Sequence, residues 1–249
     1  MERTSLLELE TGRGLMPAYA ALPTREPPWP GVVVIHDFTG MSEDLRRHAD
    51  WLAGAGFLTI APDLYYWGSR LRCLRTIMAD LGSRRGRSFD DIEAARQWLR
   101  QHDACTGTVG VVGYCMGGGY AIALAEGHGF DASAVNYGGC PSDARDWMAR
   151  ACPVVGSFGG ADRSPMGARA GRRLDDVLTQ LAVPHEVKIY PGVGHGFMND
   201  HAPEDQSLFL RFLARISGTR YDEAATADAR QRIVAFFNTH LYMEAPPSP

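Results

Sequence analysis

From about residue 30 onward the chain switches repeatedly between two hydrophobic periods. GVVVIH (31–36), GFLTIAP (56–62), TVGVVGY (108–114), SAVNYGG (133–139), CPVVGSFG (152–159) and HEVKIYPG (185–192) are short and bounded by Gly or Pro. The more apolar of them are rich in Val and Ile, which predicts strands buried on both faces, the habit of a parallel sheet. Between them, SEDLRRHADWLAGA (42–55), SFDDIEAARQWLRQ (88–101) and MGARAGRRLDDVLTQL (166–181) repeat apolar side chains at helical spacing. The first of these opens on a serine cap and an acidic first turn. This alternation predicts an α/β protein with a doubly wound, mostly parallel sheet. SLLELE and MPAYAAL read as an antiparallel hairpin added at one edge. No linker divides the chain, so a single domain is expected over residues 1–241, with 242–249 (ending EAPPSP) as a disordered tail.

Composition narrows the functions without choosing one. The 249 residues suffice for one large α/β domain, and a formal net charge of −4 counts against a nucleic-acid partner. The N-terminus has no apolar run of signal-peptide length and nothing approaches a membrane span, so a cytoplasmic protein is expected. The five cysteines (73, 105, 115, 140, 152) are odd in number and lack CxxC spacing, so neither a disulfide framework nor a zinc knuckle follows. The single lysine, Lys188, lies in EVKIY, which rules out a P-loop. HExxH is also absent; no metal or cofactor is expected.

The candidate chemistry sits in GVVGYCMGGGYA (110–121). An apolar strand, a turn flanked by Gly113 and Gly117, and a following helix make the elbow that hydrolases use to present a nucleophile, here Cys115. Ligands of open α/β sheets bind beyond the C-terminal strand ends, where this residue falls. The positive end of the helix behind it favours thiolate over thiol. The other four cysteines read as structural. In this architecture an acid and then a histidine follow the nucleophile, each just after a strand. Asp162 in GGADRSP and His195 in GVGHGF meet that order. Asp63 precedes the nucleophile and reads as a turn residue, and His201 is the alternative base. His48, His102, His128, His185 and His240 read as helix-surface or loop residues. The oxyanion hole is expected from the Met116 N–H and, after the first central strand, the Phe38 N–H. One such donor is worth about 3 kcal/mol in the transition state.

On these residues the chain resembles the dienelactone hydrolase family of the α/β-hydrolase superfamily. The match extends over most of residues 30–240, through VVVIHDFTG, GFLTIAPDLY, FDDIEAARQWL, VGVVGYCMGGG, GGADRSP and YPGVGHGF. The resemblance implies an α/β-hydrolase fold, the triad Cys115–His195–Asp162, and hydrolysis of a small ester or lactone through a thioester. It also implies that Asp37, where the family usually has glutamate, contacts and activates the thiol. Family members that act on dienelactone hold its carboxylate with arginines, one of them four residues past the catalytic histidine, where this chain has Asn199. The other clamp comes from the loop after PDLY. Tyr65, Tyr66 and Trp67 are candidate pocket residues there, with Arg70, Arg72, Arg75, Arg84, Arg85 and Arg87 as candidate anion contacts. His36 reads as structural. Two other functions stay open at this stage: acyl transfer or isomerisation in a biosynthetic pathway, and a silent small-molecule binder. The assembly expected is a monomer or homodimer.

Overall fold

The apolar segments become the middle of one eight-stranded sheet. The computed structural model describes residues 4–201 and 220–242. Its strands are β1 (Thr4–Thr11), β2 (Gly14–Ala21), β3 (Trp29–Ile35), β4 (Leu58–Pro62), β5 (Cys105–Tyr114), β6 (Ala132–Asn136), β7 (Val154–Gly159) and β8 (His185–Tyr190). The spatial order is β1-β2-β4-β3-β5-β6-β7-β8. The hairpin pairs antiparallel and joins β4 antiparallel, and every later pairing is parallel. β3, β6 and β7 are buried along their whole length, as their unbroken apolar runs require. β8 forms the far edge and alternates between half-buried and exposed positions, which explains the polar residues in HEVKIY.

Helices cover both faces. α1 (Glu43–Gly54) starts at Ser42, whose hydroxyl accepts from the Leu45 N–H. α2 (Arg70–Ser83), α3 (Arg87–Gln101), α4 (Met116–Leu124), α5 (Ala144–Trp147) and α6 (Ala168–Gln180) follow, and α7 (Glu223–Leu241) is the last described helix. Alternate strand residues sort to the two faces. Val32 and Val34 pack with Leu45, Leu52, Ile233 and Phe237 of α1 and α7, whereas Val33 and Ile35 pack with Ile92, Tyr120 and Leu174 of α3, α4 and α6. Each such buried side chain contributes roughly 1.5–3 kcal/mol of hydrophobic stabilisation.

Four features differ from the sequence reading. The segment 70–83, assigned to the loop after PDLY, is a helix capped by Ser69. Helix α7 went unread, although its buried Ala225, Ala229, Ile233, Phe236, Phe237 and Leu241 keep helical spacing behind the Asp222 cap. His48 is fully buried instead of lying on a helix surface, and stacks on the Tyr114 ring at 4.0 Å. It occupies the same α1 stripe as Leu45, Ala49 and Leu52, so the helix buries it with them. Tyr242, assigned to the tail, is packed: its hydroxyl donates to Gly56 O at 3.0 Å. The rest of that segment, 243–249, lies outside the described residues. Among the described residues no helix is long and apolar enough to cross a membrane.

Candidate active site

Parallel pairing brings the ends of β3, β5, β7 and β8 to one rim. In register, Ile35 faces Gly113 and Gly159 faces Tyr190, so the loops that follow these strands converge. Cys115 stands between β5 and α4 with φ +55° and ψ −111°. A non-glycine residue in the left-handed region costs of order 1–3 kcal/mol and survives only where the surroundings enforce it. Here the enforcement is steric. A Cβ on Gly113 would lie 1.9 Å from Gly117 O, and one on Gly117 would lie 2.4 Å from Ile35 O. The backbone is therefore folded tightly enough to hold the sulfur out over the strand ends, and the Cys115 N–H is tied to Asn136 O at 3.0 Å.

The three residues named from chain order meet. His195 Nε2 lies 3.2 Å from Cys115 Sγ, and its Nδ1 lies 2.6 Å from Asp162 Oδ2. The second Asp162 oxygen accepts the Ser164 N–H at 2.7 Å, which fixes the plane of the carboxylate. Tyr137 presents its ring edgewise to the imidazole at 5.2 Å. Burial would raise the Asp162 carboxyl, but the His195 hydrogen bond and charge, helped by Ser164, outweigh it and hold the group below its ordinary range. The sulfur behaves oppositely. Burial pushes the Cys115 thiol well above its ordinary value, and the charge of Asp37 adds to this; the Met116 N–H pulls the other way, and Asp162 pushes it further up. The resting sulfur is thus held as the thiol, within hydrogen-bond distance of His195 Nε2, with His195 Nδ1 facing the Asp162 carboxylate.

That assignment has a measurable consequence. Thiolate is the reactive form, so a raised thiol pKa leaves little of it at pH 7 and the fraction keeps rising into alkaline solution. Alkylation of the Cys115 peptide by iodoacetamide, read by mass spectrometry, is expected to climb continuously from pH 7 to pH 10. A rate flat across pH 6–8 would identify a resting thiolate and refute the raised thiol.

The other expected residues are distributed as follows. Phe38 N–H has no acceptor among the described residues, while Phe38 O accepts from Arg70 Nη2 at 2.7 Å and from Tyr65 Oη at 3.3 Å. Arg70 and Tyr65 therefore brace the turn that presents that N–H. Arg72 stacks over Trp67 at 5.4 Å and is otherwise exposed. Arg87 lies over the Tyr66 and Trp67 rings, donates to the Tyr66 hydroxyl at 2.7 Å and pairs with Asp91, and Arg84 pairs with Asp143 over Trp147. Both guanidinium groups are thus engaged by side chains of this chain. Asp63 accepts the Tyr65 N–H, and His36 is buried between Asp37 O and the Leu64 N–H.

Asp37 does not touch the sulfur by hydrogen bond. One of its oxygens accepts the Thr39 N–H at 2.7 Å and the Thr39 hydroxyl. The other faces Asn199 Nδ2 at 3.1 Å and His201 Nε2 at 2.8 Å. The shorter acid is held by Thr39, Asn199 and His201, and its influence on the thiol is by charge. Asn199 is engaged by side chains of this chain. Its two amide hydrogens go to Asp37 and Asp44 at 3.1 Å each, and its oxygen accepts from the Tyr137 hydroxyl. His201, the alternative base, faces Asp37 and Asp44 instead of Cys115. Sequence reasoning missed Asp44 and Tyr137. Asp44 looked like an ordinary helix-start acid, and nothing in SAVNYGG marks Tyr137 as lying beside a histidine 58 positions later. Among the described residues no group of three or more His, Cys, Asp or Glu is arranged to hold a metal ion.

Comparison with known proteins bears on the family and the fold. The family model described as the dienelactone hydrolase family matches residues 16–241. The curated carboxymethylenebutenolidase 1 of Cupriavidus pinatubonensis is 33% identical over 237 residues, covering 88% of this chain and 89% of its own. A solved dienelactone hydrolase from Anabaena variabilis superimposes with a TM-score of 0.69 at 20% identity, over 97% of this chain and 100% of that one. An esterase from Thermogutta terrifontis, solved with propionate bound, gives 0.66 at 15% identity over 98% and 97%. At these identities the two structures show a shared fold.

Proposed function

Because the chain belongs to the dienelactone hydrolase family, we propose that it hydrolyses small carboxylic esters or lactones, with Cys115 as nucleophile, His195 as general base and acid, and Asp162 orienting the imidazole. The observation that carries this reading is the continuous contact from sulfur to carboxylate, 3.2 Å and then 2.6 Å, across residues 80 and 33 positions apart.

The chemistry follows from the contacts. As Sγ attacks the substrate carbonyl carbon, its proton passes to His195 Nε2, and the Asp162 carboxylate stabilises the imidazolium. The carbonyl oxygen becomes an oxyanion, for which the Met116 and Phe38 N–H groups are the proposed donors. Collapse breaks the acyl–oxygen bond, the Nε2 proton goes to the departing alkoxide, and a thioester remains. Water, deprotonated by the same nitrogen, then cleaves the thioester and returns the proton to sulfur. A buried neutral thiol that ionises only during attack is shielded from stray oxidation, and thiolate leaves readily from a thioester. Activated esters and lactones are therefore better substrates than amides.

The test is direct. Incubating the protein with small lactones and activated aryl esters should deposit an acyl group on the peptide containing Cys115, seen by mass spectrometry after acid quench. Cys115→Ala protein should carry none. Hydrolysis that persists in that variant with full rate, or an adduct on another residue, would overturn the proposal.

A further inference from the structure

A second histidine–carboxylate arrangement involves Asp37, the acid whose charge acts on the thiol. His201 presents Nε2 to Asp37 Oδ2 at 2.8 Å and Nδ1 to Asp44 Oδ2 at 3.7 Å. Asn199 bridges the same two carboxylate oxygens, one amide hydrogen to each. The amide has one satisfactory orientation, because reversing it would set its oxygen against two anions. Asp44 is anchored in turn: its other oxygen accepts the Asp200 N–H at 3.1 Å and pairs with Arg47 at 3.0 Å, and His48 lies 3.6 Å away. Asp37 and Asp44 sit on different elements, the turn after β3 and the start of α1, and both are largely shielded from water.

Two shielded carboxylates this close repel each other unless a cation or several donors stand between them. Asn199 supplies donors but no charge. An imidazole with one nitrogen toward each acid is the group that supplies both. Asp37 is also the acid whose charge disfavours ionisation of the thiol, so whatever offsets that charge changes how readily Cys115 can attack. Burial would raise its own carboxyl, but the hydrogen bond and charge of His201, together with the two Thr39 hydrogen bonds, hold it below the ordinary range.

We propose that His201 is a positioning residue for the nucleophile: as an imidazolium between Asp37 and Asp44, and with Asn199 as the fixed strut, it clamps the Asp37 carboxylate away from Cys115 and neutralises its field at the sulfur. The proposal rests on the reading of Cys115 as nucleophile only for its catalytic consequence. The charge arrangement itself is independent of that reading. His201 touches no reacting atom; it acts through Asp37.

This dependence makes it testable by a double-mutant cycle on thiol reactivity, measured as iodoacetamide alkylation of the Cys115 peptide at fixed alkaline pH. Below the thiol pKa the thiolate fraction changes tenfold per pKa unit, so the readout is sensitive. His201→Gln, which keeps a hydrogen-bond donor and removes the charge, should slow alkylation about fivefold, and Asp37→Asn should accelerate it by a similar factor. In the Asp37→Asn background the His201→Gln effect should vanish. Equal slowing in both backgrounds would overturn the proposal, because His201 would then act by packing or directly on the sulfur. If the variants do not fold, the wild-type protein decides. Histidine-labelled 15N spectra at pH 7 should show the His201 ring doubly protonated, and a neutral ring would overturn it. The acyl-adduct experiment separates the two ideas: loss of the adduct with an intact cycle removes the catalytic reading and leaves the charge clamp, and the converse removes the clamp alone.

Discussion

His195→Ala protein is expected to fold normally and to lose ester hydrolysis by about 10⁵-fold in kcat, the scale on which triad members act as one unit. The structure makes this residue the sole described link between the thiol and Asp162, since the alternative histidine, His201, faces Asp37 and Asp44. With the imidazole gone, a thiol whose ionisation is opposed by burial and by Asp37 has no acceptor for its proton. Asp162→Asn should do less damage, about 10³–10⁴-fold, because the base remains but is held in the wrong tautomer and its imidazolium is no longer stabilised. Stopped-flow or steady-state kinetics with an activated aryl ester at pH 7.5, beside a thermal melt of each variant, measures both. A His195→Ala enzyme within tenfold of wild type would mean that another group takes the proton, and the mechanism would fail with it.

Gly113→Ala is expected to destabilise the fold by about 4 kcal/mol or to prevent folding, the exceptional end of the range for single substitutions. A methyl group there would lie 1.9 Å from Gly117 O, 2.2 Å from Gly117 C and 2.8 Å from Gly118 N, all of them backbone atoms. Side chains can rotate out of a clash, but backbone at the start of α4 can yield only by opening the elbow. That would release the strained Cys115 conformation and separate the sulfur from His195. Gly107→Ala provides the contrast. Its φ is positive, +92°, but nothing lies within 4 Å of the added carbon, so only the backbone strain of about 1 kcal/mol is expected. Urea unfolding of the two variants measures the difference. Similar midpoints would show that the elbow is not the tight constraint these contacts imply.

The extent to which this protein is legible from its residues follows from the range of the interactions involved. Cys115, Asp162 and His195 were placed by chain order because each directly follows a strand, and parallel strands deliver their C-terminal ends to one rim whatever the loops between them do. The hairpin, the buried β3, β6 and β7, and α1, α3 and α6 were readable for a similar reason, since period and caps are properties of consecutive residues. His48 was misread because hydropathy counts histidine as polar. Its position between Leu45 and Leu52 on one helix stripe was the better signal.

Sequence by itself determined the architecture, the strand–turn–helix elbow at Cys115 and the candidates for base and acid, all of them local patterns repeated along one direction of the chain. Tertiary structure decided which groups share charge around the sulfur. It tied Asp37 to Thr39, Asn199 and His201, gave Asn199 to two carboxylates, and set His201 between acids 164 and 157 residues upstream. Electrostatic partners depend on distance in space and on exclusion of water. Neither has a periodicity that a linear pattern can display.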